Sequence, residues 1–271
     1  MWWGRPSYFW GGVLIIGGVL ALLANAGLLN NLDWNYVWPV LLIAIGVWQI
    51  VIRRLPRSAD APAGGAPLDR SDPREGLAKA KLDVGLGSVR IELHGAALGD
   101  QLYRARIDYG GRPPDVQLDR AGGTVRITHP GNWMMGGWGR VKLDLQLSDA
   151  IPWEAVLKTG AARGTIDLST AKVARFESDS GSNNLDLSLP RPEGEVPIRI
   201  EGGSVKVRVR RPAGTAIRVN ASGGSVRLTA DGVRQGGFGN VAWQSAGADS
   251  SNDRYDAHFS GGSVVVDVEQ S

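Results

Sequence analysis

Four glycines, Gly160, Gly181, Gly202 and Gly223, follow one another at intervals of 21 residues in this chain of 271. A fixed period near 20 residues marks a repeat architecture, in which no unit can bury its apolar face alone and stacking supplies the core. After each glycine comes a short alternating segment: Ile166-Asp167-Leu168, Leu185-Asp186-Leu187, Val205-Lys206-Val207 and Val226-Arg227-Leu228. Before the last three comes a second one: Ala174-Arg175-Phe176, Ile198-Arg199-Ile200 and Ile217-Arg218-Val219. The chain closes with the same device, Gly261-Gly262-Ser263-Val264-Val265-Val266. Period-two alternation is the pattern of a half-buried strand. The spacing predicts a β-solenoid in which Ile166, Leu185, Val205 and Val226 stack into one core and Asp167, Asp186, Lys206 and Arg227 form an outward ladder. Glycine at the corners is expected to supply positive φ. The stretch between Gly223 and Gly261 is expected to cap the open end. The competing arrangement is a β-sandwich with regular turns.

Upstream, Ser88–Leu93, Thr124–Thr128 and Val141–Leu147 alternate in the same way, so residues 78–271 read as one mainly β domain. Residues 55–77 are rich in Pro, Ala, Gly and charge and carry no apolar period, which predicts a flexible linker.

The first 54 residues are of another kind. Residues 9–29 hold no charge, and at 1.5 Å per residue this run matches the ~30 Å core of a bilayer. A second apolar run covers 36–52, and Asn30 to Asn35 lie between the two. Trp2, Trp3 and Trp10 flank one side, and Trp34 and Trp38 the other, as interfacial aromatics do. Arg5 precedes the first run, Arg53, Arg54 and Arg57 follow the second, and the loop between has no Lys or Arg. A two-helix transmembrane hairpin is predicted, with membrane-interface residues Trp2, Trp3, Trp10, Trp34, Trp38, Arg53 and Arg54. The positive-inside rule places both termini and the β domain in the cytoplasm. Ala24-Asn25-Ala26 also fits a signal-peptide cleavage site, which would leave a single span.

Charge beyond residue 58 balances to zero, so the basic pI reflects the membrane-flanking arginines and nucleic acid is not an expected partner. The chain has no Cys, which excludes disulfides, thiolate metal sites and a Cys nucleophile. The sequence lacks a nucleophile elbow, a Walker A loop and a His-Glu-x-x-His motif. His94, His129 and His258 have no ligand spacing. No catalytic, cofactor or metal site is expected. Asp167 and Asp186 are the one carboxylate pair that a sugar-cleaving solenoid face would use, although strand alternation also explains them. The loop Pro130–Gly139 holds Trp133, Met134, Met135 and Trp138 among glycines. These four are the candidate partner-contact residues; the other reading folds the Trp side chains over a solenoid end.

The run from Arg5-Pro6-Ser7-Tyr8-Phe9-Trp10-Gly11-Gly12 to Trp38-Pro39-Val40-Leu41-Leu42-Ile43-Ala44-Ile45-Gly46 resembles the LiaI-LiaF-like transmembrane region. From Leu82-Asp83-Val84-Gly85-Leu86-Gly87-Ser88 onward the chain resembles the toastrack domain of LiaF-type cell-wall-active antibiotic response proteins. This resemblance implies a membrane-anchored, non-enzymatic β protein of a bacterial envelope-stress system. It would act as sensor, scaffold or regulator on a membrane or signalling partner, a histidine kinase among them, with homo-oligomers possible. Binding or cleaving an envelope polysaccharide on the solenoid face is the alternative.

Overall fold

The computed structural model describes residues 66–129 and 141–271, which fall in one of two units of the chain, Pro62–Ser271. The spans expected at 9–29 and 36–52, with Trp2, Trp3, Trp10, Trp34, Trp38, Arg53 and Arg54, lie outside the described residues. The described strands are β1 (Leu68–Pro73), β2 (Ala80–Ala96), β3 (Gln101–Asp108), β4 (Asp115–Asp119), β5 (Thr124–Thr128), β6 (Val141–Ser148), β7 (Pro152–Asp167), β8 (Lys172–Ser188), β9 (Glu195–Arg211), β10 (Ala216–Ala230), β11 (Val233–Gln244) and β12 (Arg254–Gln270). They run in the order β1-β3-β6-β2-β7-β8-β9-β12-β10-β11, with β5 beside the first half of β2 and β4 beside β5.

The long strands β2, β7, β8, β9, β12 and β10 pair parallel. Flat parallel neighbours need a crossover of about a dozen residues. Here Leu168–Ala171 suffice between β7 and β8. The short link works because each long strand turns a corner at its middle and brings its end back towards its beginning. Both halves then face one core: Val196, Ile198 and Ile200 from the first half of β9 share an apolar cluster with Val205, Val207 and Val209 from the second. The inward positions change from even to odd across Glu201-Gly202-Gly203-Ser204. The corner therefore contains one residue too many for strict alternation, and that residue is what turns the chain.

The corner glycines do not do what alternation suggested. None of Gly160, Gly181, Gly202, Gly223 or Gly261 has positive φ. They are needed because neighbouring rungs approach backbone to backbone. A Cβ on Gly160 would sit 2.9 Å from the carbonyl oxygen of Gly87, and one on Gly181 2.7 Å from that of Gly160. On Gly202, Gly261 and Gly223 it would fall still closer to the carbonyls of Ser180, Gly202 and Gly261. Real Cβ atoms essentially never come within 3.0 Å of a neighbour.

Register corrects the expected stacks as well. Ile166 pairs with Leu187, Leu185 with Val207, and Val205 with Val264, which in turn meets Val226. All four expected core residues are buried, but they lie in three stacks rather than one. The expected charge ladder separates in the same way, with Asp167 beside Ser188 and Asp186 beside Arg208. The expected residues lie 19 and 20 apart along the chain from Ile166 to Leu185 to Val205, whereas the rungs step by 21 residues from β7 to β8 and by 22 from β8 to β9, so that Ser182 meets Ser204. Gly181 therefore matches the second glycine of the Gly202-Gly203 doublet.

The largest departure is at the end of the chain. β12 does not stack beyond β10 but lies between β9 and β10, with Gly261 between Gly202 and Gly223. The segment expected to cap the solenoid does so through β11, which runs antiparallel along the outer edge of β10. At the other end, β1 occupies residues assigned above to a flexible linker: Leu68 packs against the core, and Asp72 accepts a 2.6 Å hydrogen bond from the Tyr103 hydroxyl. Burial, reinforced by that bond, pushes the Tyr103 phenol well above its usual range. The folded domain thus begins about ten residues earlier than alternation alone indicated.

Candidate functional site

Outward residues of the first half-strands form level rows across the sheet. One row runs Arg199, His258, Asn220 across β9, β12 and β10. The next runs Glu201, Ser260, Ser222, Asn240 and reaches β11. Serines and asparagines in the middle are short, while Arg199, Glu201 and His258 are long. The difference in height leaves a groove of about 380 Å³ lined by these residues. The His258 Nε2 lies 3.3 Å from an Asp256 carboxylate oxygen. Glu177 lies on the β8 side of Arg199, 3.9 Å from its guanidinium. On the β11 side, Asp249 accepts hydrogen bonds from the side chains of Gln244 at 2.7 Å and Arg218 at 2.9 Å. Those bonds, Gln244 first, hold its carboxyl below the usual range. Asn220 Oδ1 is buried without a partner.

This surface offers amide, hydroxyl, imidazole and guanidinium groups to a polar ligand. Of its residues only Arg199 stood out in the sequence as an outward position between two apolar strand residues. Their meeting was not legible there, because His258 and Ser260 reach the groove only through the insertion of β12.

The carboxylates considered for sugar cleavage do not share a site. Asp167 accepts bonds from the backbone N–H of Ser169 at 3.1 Å and from its hydroxyl at 2.6 Å. Asp186 lies 3.7 Å from both the Arg208 and the Arg210 guanidinium groups. A shallow depression of about 150 Å³ beside Asp186, lined also by Asn184, Lys206, Arg208 and Asp267, does not reach Asp167. Among the described residues no group of three or more His, Asp or Glu is placed to hold a metal ion. Trp133, Met134, Met135 and Trp138 lie outside the described residues. The segment holding them joins β5 to β6, which pair with the first and second halves of β2.

A buried polar cluster on the inner side of the corner was not anticipated. The Thr159 and Ser180 hydroxyls are 2.7 Å apart, Ser178 donates to Asn183 Oδ1 at 2.7 Å, and Asn183 Nδ2 donates to the Glu201 carbonyl at 2.8 Å. Every member has a partner, as buried polar groups require. Its role is to hold the turn of β7 and β8.

The fold is thus that of a parallel β rack with antiparallel strands at both ends. Residues 68–210 match the model of the N-terminal domain of toast_rack, and the chain belongs to that family. Residues 8–50 match the LiaI-LiaF-like transmembrane region, the family that this stretch was seen to resemble. The chain also resembles the crystal structure of a proposed cell adhesion protein from Clostridium sporogenes, with TM-score 0.63 and 19% identity over 76% of this chain and 99% of that one. A proposed adhesin from Bacteroides fragilis aligns over 76% of this chain and 99% of its own, with 7% identity and TM-score 0.21. No curated protein matches.

Proposed function

We propose that this protein is a membrane-anchored, non-enzymatic sensor, scaffold or regulator of the bacterial cell-envelope stress response, working through contacts with a membrane or signalling protein. The observation that carries this reading is the joining, in one chain, of a LiaI-LiaF-like transmembrane region to a toast_rack domain. The chain would cross the bilayer twice, with both termini and the rack in the cytoplasm, within reach of the cytoplasmic part of a histidine kinase. Trp133, Met134, Met135 and Trp138 are the contact residues of this reading. A reporter fused after Ser271 tests the topology: activity on the cytoplasmic side supports it, and external activity overturns it. Co-purification of a kinase from solubilised membranes tests the partner. Replacing Trp133 and Met134 with Ser should abolish capture while leaving the melting temperature unchanged; a fall in melting temperature would make these residues core.

A second reading, recognition of an envelope polysaccharide, is favoured by the groove of Asn220, Ser222, Asn240, His258 and Ser260. Retention on immobilised cell-wall glycan, lost in Asn220→Ala, would support it. Equal retention of both proteins would remove it.

A further inference from the structure

The strands at the two ends of the main order, β1 and β11, are protected unequally. β1 carries Asp69, Arg70 and Asp72 and ends on Pro73. Charge and proline are the usual means by which an edge strand avoids pairing with another chain. β11 has only Arg234, near its start, and is uncharged from Gln235 to Gln244. It pairs with β10 on one side only, so backbone N–H and C=O groups face outward along the other. Phe238 stands at its corner and is 89% exposed; Val233 at its start is 50% exposed.

We propose that β11 pairs antiparallel with β11 of a second copy, about a two-fold axis through the corner at Phe238. Three observations single out this occupant and this register. First, the corner lies at the middle of β11, opposite the irregularity between Gly223 and Val226, so a two-fold axis there lays bend upon bend. Second, the inner face is self-complementary. Val233 and Gln235 face the core side at one end, opposite Ala230 and Leu228. Val241 and Trp243, opposite Ala221 and Val219, face the core side at the other and pack on the core while only partly buried. In this register Val233 of one copy meets Trp243 of the other, and Gln235 meets Val241, each pair occurring twice. The aromatic–β-branched pair Val233–Trp243 is of a kind that stabilises a sheet. Third, the single charge, Arg234, meets Ala242, so no like charges oppose. The contact is isologous and closes as a dimer rather than growing into a fibre. Anchorage in one membrane would raise the effective concentration of the two copies. The proposal needs no signalling partner, so it stands or falls separately from the regulatory reading.

The absence of cysteine makes the test direct. Full-length chains carrying Arg234→Cys or Ala242→Cys, both leaving Phe238 in place, are co-expressed in membranes and oxidised. A disulfide-linked dimer of the mixed pair, at least tenfold above either variant alone, is expected. Adding Phe238→Glu to both should abolish that dimer, because two carboxylates would meet on the axis. The melting temperature should stay unchanged, since Phe238 packs on little of its own chain. Absence of the mixed dimer, or equal linking of Arg234→Cys to itself, would overturn the proposal. So would linking of these cysteines to a protein of another size without the homodimer.

Discussion

The two long sides of the rack are built on opposite terms. On the corner side, rungs meet through bare backbone, and Gly160, Gly181, Gly202, Gly261 and Gly223 are there because an added carbon has no room. On the loop side, large side chains do the joining. Trp153 Nε1 donates to the Ser148 carbonyl at 2.9 Å, Tyr255 to the Pro190 carbonyl at 2.8 Å, and Thr170 to the Gly95 carbonyl at 2.8 Å. Arg211, 1% exposed, donates to the Thr215 carbonyl at 2.7 Å and to Asp231 at 2.5 Å. Close packing at the corner sets the rung spacing, which strand pairing holds at about 4.8 Å. The loops, free of that constraint, vary in length and need tailored ties. Such a rack should be hurt by added atoms at its corners and by removed side chains at its loops.

The sharpest way to break this comparison is to add one carbon at the corner. Gly202→Ala forces its Cβ onto the Ser180 carbonyl, which belongs to a hydrogen-bonded strand and has no free direction to move. A loss above about 3 kcal/mol is expected, the upper end of overpacking costs. Gly203→Ala, whose Cβ would meet Gly181 oxygen at 3.1 Å, should cost markedly less. Chemical denaturation of both variants checks the order. Equal, small losses would show that the corners are only turns.

Legibility in the sequence follows the same division. The corner side was readable because a missing side chain leaves a glycine, and glycines at regular intervals stand out. Even there the reading slipped: a period of 21 picks Gly202 from the doublet, whereas the structure aligns Gly181 with Gly203. Val205 and Val226, and with them Lys206 and Arg227, still share a row through β12, whereas Ile166 and Leu185, only 19 residues apart, fall into different stacks. The loop side was illegible, since Arg211 looks like any other arginine among strands until Thr215 and Asp231 close around it. Order in the sheet was hidden for a different reason. Gly261-Gly262-Ser263 is interchangeable with the other corners by local pattern, and nothing in its alternation says whether it adds beyond β10 or enters between β9 and β10. The groove depends on that insertion and was lost with it.

An effect of similar size belongs to the loop side. Asp231→Ala leaves the Arg211 guanidinium buried with one carbonyl partner, and its Nε is already unpaired. Breaking one half of a buried pair costs about 3–5 kcal/mol. Arg211→Met, which removes the charge as well as its bonds, should cost less than Asp231→Ala. The reverse order in thermal melts would mean that the arginine serves by its bulk alone.

An intermediate effect tests the one place where the corner side borrows the method of the loop side. Ser180→Ala strands the Thr159 hydroxyl in the core and should cost about 1–3 kcal/mol. Thr159→Val does the same to Ser180, though Ser178 stays 3.4 Å away. The double variant should be less destabilised than the two single losses added together, because neither partner is then left unpaired. Strict additivity in a denaturation cycle would mean that these hydroxyls fill space and that all corners are governed by backbone approach.

The smallest effect is expected on the outer face, which belongs to neither side. Asp186 lies between two guanidinium groups at 3.7 Å, and its side chain is 41% exposed. Water and salt screen such pairs, and Arg210 keeps a second partner, Glu269, at 2.9 Å. Asp186→Asn should therefore change stability by less than about 1 kcal/mol, and the difference should vanish in high salt. A larger, salt-insensitive loss would put part of the rack's cohesion in its charged face. The division of labour between bare corners and tied loops would then be incomplete, because the outer ladders would share with the backbone and the loop side chains the task of holding the rungs together.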